Sequence, residues 1–166
     1  MPRISRRRRR WGVVDNRILG DPGRPSFQVD RYPFYLLNRL VSRYNGIIEP
    51  KLREIGIDIP YWRVLMVLGE RAPRGIREIA DAAVIPLSTM TRIVQRMAAA
   101  DFVSVQVSDA DARVTTVSLL PLGKAKLAEA RVVTAPIYAK VIEDFSAEDF
   151  DLLLKLFDRL YANLTA

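Results

Sequence analysis

Two residue types are missing from this 166-residue chain altogether: it has no cysteine and no histidine. Without cysteine there is no disulfide, no thiolate nucleophile, no sulfur-ligated zinc and no thiol redox switch. Without histidine the commonest general base, the commonest metal ligand and the side chain that titrates near neutrality are gone. Most hydrolase and metalloenzyme schemes end there. Carboxylates remain, but the adjacent acids Glu143 with Asp144 and Glu148 with Asp149 flank one apparent helix junction rather than converging from separate elements. The expectation is therefore no enzyme, no metal and no cofactor. Runs of about 18 apolar residues are also lacking, so no bilayer span is expected. The stretch after Arg6 to Arg10, "WGVVDNRILGDPGRPS", is not the apolar segment that a secretion or twin-arginine signal would need. A cysteine-free chain of this kind fits a reducing cytoplasm.

What the chain has is positive charge, unevenly placed. Lys and Arg number 26 against 19 Asp and Glu, a net +7. Nine of the arginines, against three aspartates, lie in residues 1–31. That stretch has scattered Gly and Pro and no sustained period, so it reads as a basic, flexible arm. The arm allows three readings: a tail along nucleic acid, a segment ordered against a partner through Trp11, Val13, Val14, Ile18 and Leu19, or an idle solvated tail. Residues 32–166 read as one domain, in which 59–120 form a central unit between long helical segments at 32–58 and 121–166.

From Tyr32 to about Ile55 apolar residues recur at three- and four-residue steps, which predicts a long helix, and "YWRVLMVLGER" predicts a second ending near Arg71. Pro73 and Gly75 then force a short extended link. "GIREIADAA" is a short helix with Gly75 as N-cap, "VIP" interrupts it, and "LSTMTRIVQRMAAAD" begins another. In this last helix Met90, Ile93, Val94 and Met97 share one side, while Ser88, Thr89, Arg92, Gln95 and Arg96 share the other. Helix, three-residue turn, then helix with a polar-basic outer face is the helix-turn-helix pattern.

Residues 102–108 alternate, with Val103, Val105 and Val107 on one face, and 114–120 return after the turn "DADAR". A hairpin in that place is a wing. Arg113 at its tip suits the narrow, negative minor groove, or it simply pairs with Asp109 or Asp111 on a solvated turn. Short hydroxyls at the helix start suit phosphates, and Arg92 and Gln95 behind them suit base edges. Arg74 and Arg77 flank the preceding helix as phosphate contacts or as surface charges. A helix with many alanines is expected over about 122–144. Ser146 and Asp149 then cap a last helix to about 163, with Phe145 and Phe150 placed for a hydrophobic staple. Its apolar stripe is wider than one contact needs. The fold class expected is mainly α with a small β-hairpin wing: a winged helix-turn-helix between long N- and C-terminal helices.

The run "STMTRIVQRM…DFVSVQVSDADARVTTVSL" resembles that of the MarR (multiple antibiotic resistance regulator) family in Ser88, Thr89, Thr91 and Arg92, then Asp111 and Arg113, then Val117 and Leu119. "YLLNRL", "WRVLMVL" and "IREIADAA" add matches, so the likeness spans about 32–163. Asp101 stands where the family usually has Gly, and Leu120 and Pro121 where Thr usually follows the strand; the arginine arm has no counterpart. The resemblance implies a homodimer joined by the first and last helices and a pseudo-palindromic double-stranded DNA operator. It further implies a transcriptional regulator, usually a repressor, released by a small phenolic or aromatic carboxylate. Candidate effector residues are Arg39, Arg43 and Arg63 as carboxylate partners with Trp62 and Tyr44 as walls; alternatively Trp62 is core and the arginines pair across helices. The competing reading is a sequence-tolerant architectural DNA-binding protein dominated by the polybasic arm.

Overall fold

The computed structural model describes residues 15–107 and 115–165. In chain order these form α1 (Asn16–Leu19), a 3-10 turn (Val29–Arg31), α2 (Pro33–Glu54), α3 (Ile59–Glu70), β1 (Arg74–Gly75), α4 (Ile76–Ala83), α5 (Leu87–Ala99), β2 (Val103–Val107), β3 (Thr115–Leu119), α6 (Pro121–Val141) and α7 (Ala147–Thr165). The chain divides into two compact units whose boundary lies inside α2, between Asn45 and Gly46.

In the first unit, residues 15–31 hold themselves together locally. The Asp15 carboxylate accepts the Arg17 backbone N–H at 2.9 Å and so caps α1. The Arg17 guanidinium folds back on the same carboxylate at 2.7 Å and holds its pKa down at about 2. Gln28 N–H donates to Leu19 at 2.8 Å, closing a loop. A Cβ on Gly20 would lie 2.4 Å from the Arg31 carbonyl oxygen, so only glycine allows that approach. Phe27, Tyr32 and Phe34 meet edge to face in series. None of α1 is buried, so this is local structure rather than core, and four residues are too few to show a period.

The core of the second unit draws on five helices, α2 to α6, and a small sheet. Ile48 and Leu52 of α2, Trp62, Val64, Leu65 and Leu68 of α3, Ile79 and Ala80 of α4, and Met90, Ile93, Val94 and Met97 of α5 are all buried, as are Val103, Val117, Leu127 and Ala130. Asp58 starts α3 by accepting the Tyr61 N–H at 2.9 Å, and Pro60 fits the first turn, so this helix begins before "YWRVLMVL". Gly75 precedes α4 as expected, its N–H donating to Glu78 at 2.9 Å. The turn into α5 places Val84 at φ 53. Ser146 and Asp149 cap α7 reciprocally, Asp149 N–H donating to the Ser146 hydroxyl at 3.1 Å.

The sheet has the order β1-β3-β2, antiparallel throughout. Pro73 and Gly75 do more than link two helices, because Arg74 and Gly75 pair with Val117 and Thr116. The expected buried face of β2 is correct only at its base: Val103 is buried, but Val105 is 42% and Val107 62% exposed. The hairpin runs out past the helices, so alternation persists where the core beneath it has ended. At the base Gly123 is obligatory, since a Cβ there would lie 2.0 Å from the Phe102 carbonyl oxygen.

Candidate nucleic-acid interface

α5 is anchored from below and open above. Met90, Ile93, Val94 and Met97 are buried, whereas Ser88, Thr89, Arg92, Gln95 and Arg96 are exposed. Thr91 is half-buried, and its hydroxyl proton goes to the Leu87 carbonyl at 2.9 Å. Thr89, Arg92, Gln95, Arg96 and Ala99 line a shallow groove of about 590 Å³ along the outer face. Pro86 precedes the helix without a side-chain cap, so the first N–H groups next to Ser88 and Thr89 carry the helix's partial positive charge outward.

The arginines divide by partner. Arg77 is exposed on α4. Arg74 is not available: its guanidinium donates to Glu70 at 2.7 Å and to the Arg71 carbonyl at 3.0 Å, and its side chain is only 11% exposed. Its nomination as a phosphate contact is corrected to a brace that ties β1 to the end of α3. Arg96 lies over the Tyr61 ring, 5.7 Å from its centroid, and Tyr61 meets Phe102 edge-on. Burial pushes the Tyr61 phenol pKa up, Arg96 opposes that, and Asp58 adds to it. β2 and β3 form the hairpin, while Asp111 and Arg113, like Arg6 to Arg10, lie outside the described residues.

The effector set is partly corrected. Trp62 is buried at 6% exposure among core residues, and the Arg63 guanidinium donates to the Ala83 carbonyl at 3.2 Å, at the end of α4. Both are spent on packing and helix capping in the second unit. In the first unit Arg39 lies 5.7 Å from the Tyr35 ring centroid, Arg43 is exposed, and Tyr44 is half-buried with its phenol pKa raised by burial. Sequence reading missed a cavity of about 420 Å³ lined by Arg53, Gly56, Ile57, Asp58, Tyr61 and Arg96. Only Arg96 carried a local signal, because the others belong to a helix end and a loop. Among the described residues no three acidic side chains gather into a metal site, and no helix is long and apolar enough to cross a membrane.

A family model described as MarR family matches residues 55–114. The HTH-type transcriptional repressor IacR of Pseudomonas putida is 32% identical over 144 residues, covering 87% of this chain and 86% of that one. A MarR-family transcriptional regulator from Silicibacter pomeroyi superposes with a TM-score of 0.75 at 23% identity, over 82% of this chain and 92% of its own. A mutant MarR from E. coli, complexed with operator DNA, gives 0.66 at 17% over 75% and 90%. NadR in complex with 4-hydroxyphenylacetate gives 0.69 at 22% over 75% and 88%. At these identities the solved structures establish the winged-helix fold, and the P. putida relative establishes the kinship. The chain belongs to the MarR family, whose members are transcriptional regulators and not enzymes.

Proposed function

We propose that this chain is a sequence-specific, double-stranded DNA-binding repressor that works as a homodimer in the cytoplasm and is released from its operator by a small phenolic or aromatic carboxylate. The observation that carries the reading is α5, with four buried apolar anchors and an outer face of Ser88, Thr89, Arg92 and Gln95. In this reading the hydroxyls and free N–H groups at the helix start hold a phosphate, while Arg92 and Gln95 reach base edges in the major groove. Thr91 offers its methyl group, Arg77 contacts the flanking backbone, and the wing brings Asp111 and Arg113 to the neighbouring minor groove, the aspartate ordering the arginine.

Support for the dimer comes from α7, where Leu152, Leu154, Leu156, Phe157, Leu160, Tyr161 and Leu164 are all exposed in the single chain. A stripe of that size needs cover. Two α5 helices related by a two-fold axis then predict half-sites about 10 bp apart. Release by a small molecule draws on the neighbour bound to 4-hydroxyphenylacetate, and Arg39, Arg43 and Tyr44 remain its candidate partners here.

The nine arginines of residues 1–31 favour a second reading, an architectural protein whose arm dominates binding. Selection of bound fragments from sheared genomic DNA at about physiological salt separates the two. An inverted repeat supports the repressor, whereas enrichment without a common motif supports the architectural protein and overturns the first reading.

A further inference from the structure

The cavity beneath Arg96 has lopsided chemistry. Two guanidiniums, Arg53 and Arg96, border it together with one carboxylate, and that carboxylate is turned to the start of α3, where Asp58 accepts the Tyr61 N–H. Neither cation is held by a buried acid. Arg53 meets Glu49 at 2.6 Å, but across one turn of an exposed helix face, with side chains 71% and 41% exposed. A pair of that kind yields readily to a better-placed anion. Arg96 rests over the Tyr61 ring, 5.7 Å from its centroid, a cation–π contact that uses none of its N–H groups on a carboxylate.

Arg96 also borders the groove along the outer face of α5. Arg96 therefore belongs both to the cavity and to the face that, in the proposed reading, lies on DNA. We propose that this cavity seats a backbone phosphate of the bound DNA between Arg53 and Arg96, with Tyr61 as the positioning residue that aims Arg96. The proposal rests on α5 being the groove-reading helix. A phosphodiester carries one negative charge and two free oxygens, which two planar guanidiniums satisfy better than one. The contact extends the footprint to the end of α2. It carries no sequence information, because the phosphate is the same at every step.

Salt dependence tests it, using the full chain and its selected operator fragment. Each neutralised phosphate contributes roughly 0.9 to the log–log slope. Arg53→Gln is expected to flatten the slope by about that amount per bound subunit, and to weaken operator and random duplex by the same factor. Tyr61→Leu is expected to flatten it likewise, with Tyr61→Phe restoring it because the ring is kept. Glu49→Gln, which frees Arg53 without removing it, is expected to tighten binding with the slope intact. An Arg53→Gln protein with the parent's circular dichroism and the parent's slope overturns the proposal, as does a loss confined to the operator sequence. A parent that binds no duplex at all is a different result, and it overturns the reading of α5 itself.

Discussion

Arg92 and Arg74 show how little residue type alone says about role. Both are arginines beside a helix-turn-helix; Arg92 is exposed on the outer face of α5, while Arg74 is clamped by Glu70 and the Arg71 carbonyl. Arg92→Ala is expected to cost about 1–3 kcal/mol of operator affinity and less on a scrambled duplex, as measured by fluorescence anisotropy at fixed salt. An equal loss on both duplexes would make Arg92 a phosphate contact. Val84 carries a backbone cost instead: it is β-branched, 81% exposed and held at φ 53 in the turn before α5. Val84→Gly removes the clash of Cβ with the carbonyl but adds freedom to the unfolded chain, so a net gain of about 0.5–1 kcal/mol is expected in thermal unfolding. Trp62 shows the same limit of local reading. An aromatic at helical spacing fits a pocket wall or a core, and only its burial beside Leu65 and Leu68 decides for the core.

At the scale of elements, periodicity served well for the helices. The long helix from Tyr32 to about Ile55, the break at "VIP" and the capped last helix are all present, because each is specified by residues within a turn or two of each other. The hairpin was legible as strands but not as a buried face. Alternation marks the pleat, whereas burial of Val105 and Val107 would need helices beneath them, and those end near Val103. β1 was legible only as an extended link, since its partners Val117 and Thr116 come from a distant strand. The exposed outer hairpin suits an element that touches something other than its own core. Arg113→Ala is expected to weaken operator binding severalfold while leaving the folded assembly intact, checked by anisotropy beside sedimentation; unaltered affinity would remove the wing from the mechanism.

For the molecule as a whole the controlling quantity is uncovered apolar surface. α7 buries none of its residues in the single chain, and Leu160 and Leu164 are 39% and 70% exposed. Changing both to Lys is expected to shift the chain to a monomer in sedimentation equilibrium and to abolish tight operator binding, with circular dichroism of α2 to α6 largely kept. A double variant that stays dimeric would place the interface elsewhere. Charge at this scale also follows directly from composition, since the +7 and its concentration in residues 1–31 need no fold to be counted.

The amino-acid sequence by itself determined the long helices, the turn between α4 and α5, the outer face of α5 and the hairpin strands, because each depends on residue type and spacing over a few positions. Only the tertiary structure decided that Arg74 braces β1, that Arg63 caps α4, that Trp62 is core, and that Arg53 and Arg96 border one cavity. Those outcomes depend on which distant segments pack together. Packing is a competition among all the chain's surfaces for burial, and it leaves no period along the sequence to read.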